Sequence, residues 1–383
     1  MGDVFNPTEE HLSIREMVRA FAESEVEPQA ESHDRDERFN HALFRQMGEQ
    51  GLLGLTAEER FGGAELDATA AVIVHEELSA ADPGFCLSYL AHAILYVHNL
   101  HINGSEAQKE KYLPPACSGE HIGGMCMSEP DAGTDVLGMR TRAIRDGDHY
   151  VIDGSKMWIT NGSVSDSELG DAFLVYAHTS DRRRDVTLFI VDRTMEGFSL
   201  GQKIQGKLGM RASNTAELVF ENCHVPVGNR VGDEGDAMLH MMRNLEIERL
   251  ALAAMSLGIA RRCIEIMNRY ASDRHTFGRP LRQYGQIQRH LAESYAEYMA
   301  GRSYVYQVAN QLSLDSGGNR LDSDGVKLYC STMAKNIADR AIQVLGGYGY
   351  VGEYHVERLW RDAKLLEIGG GTLEAHQKNM TRD

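Results

Sequence analysis

Two stretches of this chain carry groups suited to holding a polar or phosphorylated ligand. The first is CMSEPDAGTDVLG at 126–138. Ser128, Glu129, Gly133, Thr134 and Asp135 set hydroxyls and acids among small residues. Such a loop can offer backbone N–H groups and hydroxyls to a ring edge or a phosphate. The same letters also spell a plain Pro-Asp-Ala-Gly turn. The second is QVLGGYGYVGEYHVERLWRD at 343–362. Gly346, Gly347 and Gly349 allow a sharp turn and a close backbone approach, although a helix end followed by a turn would read alike. The segment Leu245-Glu246-Ile247-Glu248-Arg249-Leu250 holds two further acids. Read alone, Glu248 is a surface carboxylate paired with Arg249 or Arg243. Metal chemistry is not indicated, because His75-Glu76-Glu77 and His121 sit in no metal-ligand spacing.

The elements that must position these residues change character along the chain. Apolar positions Ile14, Met17, Val18 and Phe21 give a helical period over 8–32, with Thr8 as N-cap. Helices are also expected at 41–53, 68–81, 87–102 and 105–112, the last stopped by Pro114-Pro115. From 121 to 230 the chain reads as short strands. Asp153-Gly154 is expected as a hairpin turn, followed by strands at 173–179, 186–192 and 216–225, ended by Pro226. Helices return over about 234–271, 284–315, 323–345 and 354–366, with a last one starting near Thr372. The result is an α+β chain in α–β–α order, divided as 1–120, 121–230 and 231–383.

Composition excludes some partners. A net charge of −17 argues against nucleic acid as the main partner. No apolar run approaches the roughly 20 residues of a membrane span. The six cysteines form no CxxC pair and read as free thiols. With no apolar leader and no Arg-rich transit peptide, a cytoplasmic protein is expected. A mitochondrial matrix protein trimmed to its mature form would read the same.

Taken together and in this order, the two long motifs resemble the two signature patterns of the acyl-CoA dehydrogenase family. KMWITNG (156–162), KLGMRASNTAELVFENCHVP (207–226), RHTFGRPL (274–281) and KLLEIGGGT (364–372) look like further family landmarks. The likeness covers essentially the whole chain and leans toward the isovaleryl-CoA dehydrogenase type. It implies an N-terminal helical domain, a middle β-barrel or sandwich and a C-terminal four-helix bundle. It implies FAD as cofactor, with hydride chemistry supplied by the flavin and aimed by the protein. By resemblance, Met125, Met127, Ser128, Gly133 and Thr134 border the flavin. Trp158 covers a ring face beside Ile159, and Thr160 bonds near the flavin N5. Arg274, Gln343, Gly346 and Gly347 would grip the pyrophosphate and adenosine from a neighbouring subunit, with Thr372 and Glu374 closing on the cofactor. Where relatives usually carry Gln the chain has Gly285, and adjacent Gln286 is a candidate substitute.

The resemblance also bears on the base. Most members place a Glu at the position of Gly370, so either catalysis is lost or the base comes from elsewhere. The isovaleryl type supplies it from the long helix, where the matching residue is Glu248; Glu367 is the rival. Substrate contacts are implied for Thr134, Leu239, Glu246, Arg249, Gly369, Gly370 and Gly371, the glycines leaving room for branching near the β carbon. The implied reaction is α,β-dehydrogenation of a short branched acyl-CoA. Electron-transfer flavoprotein would take the electrons, and the assembly would be a homotetramer built as a dimer of dimers. The loop at 163–171 looks long for this type, which leaves room for a longer branched substrate such as citronellyl-CoA. The fold also hosts flavin oxidases and monooxygenases, and a redox-inert scaffold is the reading from another class.

Overall fold

The computed structural model describes residues 3–382. Helices α1 (Glu9–Phe21), α2 (Glu27–Asp36), α3 (His41–Glu49), α4 (Ala68–Ala81), α5 (Pro83–His92), α6 (Asn99–Asn103) and α7 (Glu106–Cys117) build the first part. Side-chain oxygens of Thr8, Asn40, Asp67, Asp82 and Ser105 cap α1, α3, α4, α5 and α7, each accepting from N–H groups of the first turn. Helix α7 does not stop at its prolines but runs through Pro114 and Pro115. The carbonyls these prolines leave without an N–H partner belong to Glu110 and Lys111, both on the exposed side, so the interruption costs little there.

Strands β1 (Gly123–Cys126), β2 (Arg142–Asp146), β3 (His149–Thr160), β4 (Ala172–His178), β5 (Val186–Asp192), β6 (Phe198–Lys203), β7 (Thr215–Pro226) and β8 (Arg230–Val231) follow. They form one sheet in the order β6-β7-β3-β2-β4-β5-β8, with β1 parallel to β4. Asp153-Gly154 is not a hairpin turn. It lies inside β3 at a register shift against β7, and the β2–β3 turn falls at Gly147 instead. Gly154 has φ 146°, and a Cβ there would stand 2.8 Å from the Thr141 Cα. Only glycine fits the bulge.

The chain then forms α8 (Ala237–Asp273), a small hairpin of β9 (His275–Thr276) and β10 (Arg279–Pro280), α9 (Gly285–Ala309), α10 (Arg320–Leu345), α11 (Val356–Leu366) and α12 (Leu373–Met380). Helices α8 and α10 run parallel, with α9 returning between them. Arg249 meets Asp324 near one pair of ends, and the rings of Tyr270 and Tyr348 lie 6.2 Å apart near the other. One core joins α1, α3, α4 and α5 to α8, α9, α10 and α11, so the two helical parts are not separate bodies. A second core fills the sheet. All six cysteines are free and buried. Among the described residues no helix is long and apolar enough to cross a membrane.

Candidate active site

Glu248 sits in the fourth turn of α8, where that helix is covered on most sides, and its side chain is buried. It pairs with neither Arg249 nor Arg243, which overturns the surface-acid reading. Arg249 reaches instead across to Asp324 of α10, 3.2 Å away. The buried Oε2 of Glu248 has no hydrogen-bond partner among the described residues. Burial pushes the Glu248 carboxyl up to about 7, against smaller opposing effects of Arg249 and Lys327. The rival, Glu367, is also buried but accepts from Lys364 Nζ at 2.6 Å.

The glycine turn after α11 faces this carboxylate. Gly370 has φ 66°, a left-handed conformation that favours glycine. A Cβ built on it would lie 3.5 Å from Glu248 Oε1 and would collide with the end of Leu252. Glu248 and the position where most relatives are expected to carry the base thus converge on one space, and only Glu248 supplies a carboxylate there. The Gly371 carbonyl accepts from Lys327 Nζ at 2.5 Å and lies 3.0 Å from the His376 ring. Thr372 caps α12 by accepting from Ala375 N–H, and Glu374 is exposed in its first turn.

On the sheet side, the 126–135 loop is locked to β3. Met157 N–H donates to the Ser128 carbonyl at 2.9 Å, and Lys156 Nζ donates to the Met127 carbonyl at 3.1 Å. Trp158, at φ 66° beside a register shift, is held 61% exposed, while Ile159 is buried and Thr160 half-buried. A Cβ on Gly133 would meet nothing. An exposed ring beside a rigid loop with open space over its glycine fits a planar aromatic cofactor.

Comparison with known proteins decides the family. Descriptions of the acyl-CoA dehydrogenase N-terminal, middle and C-terminal domains match residues 8–120, 124–223 and 238–383. The mitochondrial isovaleryl-CoA dehydrogenase of Oryza sativa is 42% identical over 99% of this chain and 92% of its own. The chain belongs to the acyl-CoA dehydrogenase family. The structure of butyryl-CoA dehydrogenase from Megasphaera elsdenii is similar, with TM-score 0.93 and 32% identity over 97% of both chains. A glutaryl-CoA dehydrogenase from Mycobacterium smegmatis, solved in complex with FADH2, has TM-score 0.91 and 29% identity, covering 97% of this chain and 94% of that one. This acyl-CoA dehydrogenase is therefore an oxidoreductase of a flavoprotein family. Its relatives carry different acyl groups in their names, so likeness alone does not fix its substrate.

The remaining expected site residues of the dehydrogenase lie in separate places. Met125 is buried in β1, and Thr134 is exposed on the loop. Glu246 accepts from the backbone N–H groups of Gly318 and Asn319, 3.2 and 2.8 Å away, so its carboxylate is occupied by the turn before α10. Leu239 is exposed, nine residues before Glu248, about 14 Å along the helix. Gly369 holds ordinary backbone and adjoins the Leu365 carbonyl. Arg274, Gln343, Gly346 and Gly347 are all exposed at the far ends of α8 and α10. Arg274 is 26 residues beyond Glu248, about 39 Å of helix. Gly285 and Gln286 open α9, both exposed.

Several residues of the site were not singled out in the sequence. Lys156 is buried and bonds Glu129 at 2.9 Å. Glu129 also accepts from Thr141 N–H and Oγ1, so its acid serves the loop rather than a ligand. Asn244, one turn before Glu248, has both side-chain amide atoms buried and unpartnered. Asp324, Lys327 and His376 come from α10 and α12, and no local pattern ties them to Glu248.

Proposed function

We propose that this enzyme is an FAD-dependent acyl-CoA dehydrogenase that forms the trans-2-enoyl-CoA from a short branched acyl-CoA, with Glu248 as the base. One observation carries this reading: Glu248 is the buried, unpaired carboxylate facing the glycine turn, whereas Glu367 is ion-paired. A carboxylate raised to about 7 is basic enough to take a proton near neutral pH. FAD, when bound, supplies the acceptor for the hydride that leaves the β carbon. Glu248 takes the α proton onto its free oxygen. Gly370 offers its N–H to the thioester carbonyl, a contact of the kind worth ~10²–10³ in rate. With no side chain at 369 and 370, the turn itself puts no bulk against a branched acyl chain, and Leu252 already fills the Cβ position of 370. Met127, Ser128, Gly133, Thr134, Trp158 and Thr160 hold and cover the flavin.

The distance along α8 supports the subunit arrangement. Arg274, Gln343, Gly346 and Gly347 stand too far from Glu248 for one dinucleotide to bridge, so they serve the cofactor of a neighbouring subunit. Exposed Phe277 and Tyr350, 95% and 84% accessible, lie beside them and suit a contact between copies. A tetramer built as a dimer of dimers satisfies this, with electron-transfer flavoprotein as the oxidant. The chain divides at 120 and 230, where helices give way to strands and back.

Anaerobic flavin bleaching tests the reading. The purified protein is yellow with stoichiometric FAD, and isovaleryl-CoA bleaches it faster than straight-chain or terpenoid acyl-CoAs. A colourless protein that takes up no FAD removes the assignment. Preferential bleaching by citronellyl-CoA moves the substrate to longer branched chains. A fully active, FAD-saturated monomer in light scattering removes the shared site.

A further inference from the structure

Behind Glu248 lies a buried cluster of charged groups that the chemistry above does not use. We propose that Asp324 and Lys327, on α10, are positioning residues for the Glu248 carboxylate: Asp324 draws the Arg249 guanidinium away from it, and Lys327 fixes the glycine turn that faces it. This rests on Glu248 being the base.

Arg249 follows Glu248 directly, and both are buried. An arginine freed from its partner would bring its charge closer to that carboxylate and lower its basicity. Asp324 is fully buried on the facing helix, 3.2 Å from Arg249 Nη1, and also contacts His376 Nδ1. It thus gives Arg249 an alternative partner and leaves Glu248 with none. Lys327, one turn further along α10 and also buried, points its ammonium at the Gly371 carbonyl. That bond fixes the Gly371–Thr372 peptide, one residue beyond Gly370, whose Cβ position lies 3.5 Å from Glu248. Its charge still reaches Glu248 through the buried interior, where screening is weak.

The groups that face Glu248 can be named. Arg249 is on its own helix, Lys327 on α10 and Tyr176 on β4, while Asp324 of α10 faces Arg249 and Lys327. Beyond them stand Glu367 at the end of α11 and His376 on α12. Burial holds His376 below its usual range despite Asp324, so it adds little positive charge. Lys327 therefore acts on Glu248 directly and Asp324 acts through Arg249, with opposite sign.

Opposite signs make the test decisive. Infrared difference titration of the holoenzyme, referenced to Glu248→Gln, reads the Glu248 carboxyl without turnover. Asp324→Asn removes a negative charge and releases Arg249, so the Glu248 midpoint falls by ~1 pH unit or more. Lys327→Met removes a positive charge, so the midpoint rises by a similar amount, and Lys327→Arg restores it. The acid limb of flavin reduction follows the same order. Midpoints that do not move, or that move in the same direction in both variants, overturn the proposal. Should Asp324→Asn not fold, the Lys327 pair decides alone: a rise reversed by Arg supports the inference, and no rise overturns it. If Glu248→Gln reduces flavin at the wild-type rate, the base assignment fails, while the infrared midpoints still judge this inference separately.

Discussion

The buried glutamates Glu76 and Glu77 on α4 and Glu248 on α8 have opposite surroundings. Glu76 and Glu77, on α4, are fully enclosed. Arg15 lies 3.1 Å from Glu76 and 2.5 Å from Glu77. Arg19 and Arg261 add to Glu77, Arg302 to Glu76, and the hydroxyls of Tyr298 and Tyr306 complete the set. Burial alone would raise both acids. The arginines outweigh it and hold Glu77 at about 2, with Glu76 also below the usual range. Glu248 is buried to a similar degree, but its nearest cations are engaged elsewhere, and burial wins. Burial therefore does not decide whether an acid is structural or reactive. The partners do, and a reactive acid is one whose partners have been diverted.

The largest test of this contrast is kinetic. Glu248→Gln keeps size and hydrogen-bonding capacity but cannot accept the proton. Flavin reduction by a bound acyl-CoA is expected to fall by ~10²–10⁴, with FAD and acyl-CoA binding retained. Stopped-flow bleaching measures it. A wild-type rate would move the base to Glu367.

The mirror experiment is Glu77→Gln. It leaves Arg15, Arg19 and Arg261 short of a buried counter-charge, a loss of about 3–5 kcal/mol when one partner of a buried set is removed. Denaturant melts are expected to show that drop, while the flavin reduction rate of the folded protein stays near wild type. A stable Glu77→Gln with slow reduction would dissolve the distinction drawn between the two sites.

The pH dependence separates them by sign. Glu248 is raised from 4.5 to about 7, so its contribution to stability is full below 4.5 and is lost as pH rises through 7. Glu248→Gln escapes that loss, so its stability relative to wild type improves between pH 5 and pH 8, by up to about 3 kcal/mol. Glu77 is lowered to about 2, so its contribution is full above 4.5 and is lost as pH falls toward 2. The Glu77→Gln deficit therefore shrinks in acid. Melting temperatures across pH for the two variants would slope in opposite directions; parallel slopes would refute the argument.

Much of this was legible in the sequence, for identifiable reasons. The helical spans at 68–81 and 186–192 as a strand were readable because periodicity and breakers agree there. The Asp153-Gly154 turn failed because its dipeptide serves a bulge whose need arises only when Thr141 packs against it. Pro114-Pro115 failed because a helix near its end can leave two carbonyls facing solvent. At the site, Glu248 and Gly370 were found by motif, but not the reason they belong together. That reason is contact across α8 and the turn after α11, more than a hundred residues apart. Asp324, Lys327 and His376 were invisible for the same cause, since a charge on a helix reads as solvent-facing until its partner helix is placed.

The last and smallest effect asks whether a base can be moved across that contact. In the Glu248→Gln background, Gly370→Glu restores a carboxylate to the same space, since the Cβ at 370 would lie 3.5 Å from Glu248 Oε1. Two obstacles stand in the way. The residue is held at φ 66°, which costs a non-glycine residue roughly 1–2 kcal/mol, and its Cβ collides with the end of Leu252. Gly370→Glu alone is therefore expected to recover little. Adding Leu252→Ala removes the collision, and the triple variant is expected to bleach its flavin about 10-fold faster than Glu248→Gln, a gain of ~1.4 kcal/mol in barrier. The gain should appear with straight acyl chains only, because the new side chain refills the space left for branching. Equal recovery on isovaleryl-CoA would mean that the glycines do not set acyl shape. Recovery without Leu252→Ala would mean that the turn gives way more readily than its bonds to Lys327 and His376 imply.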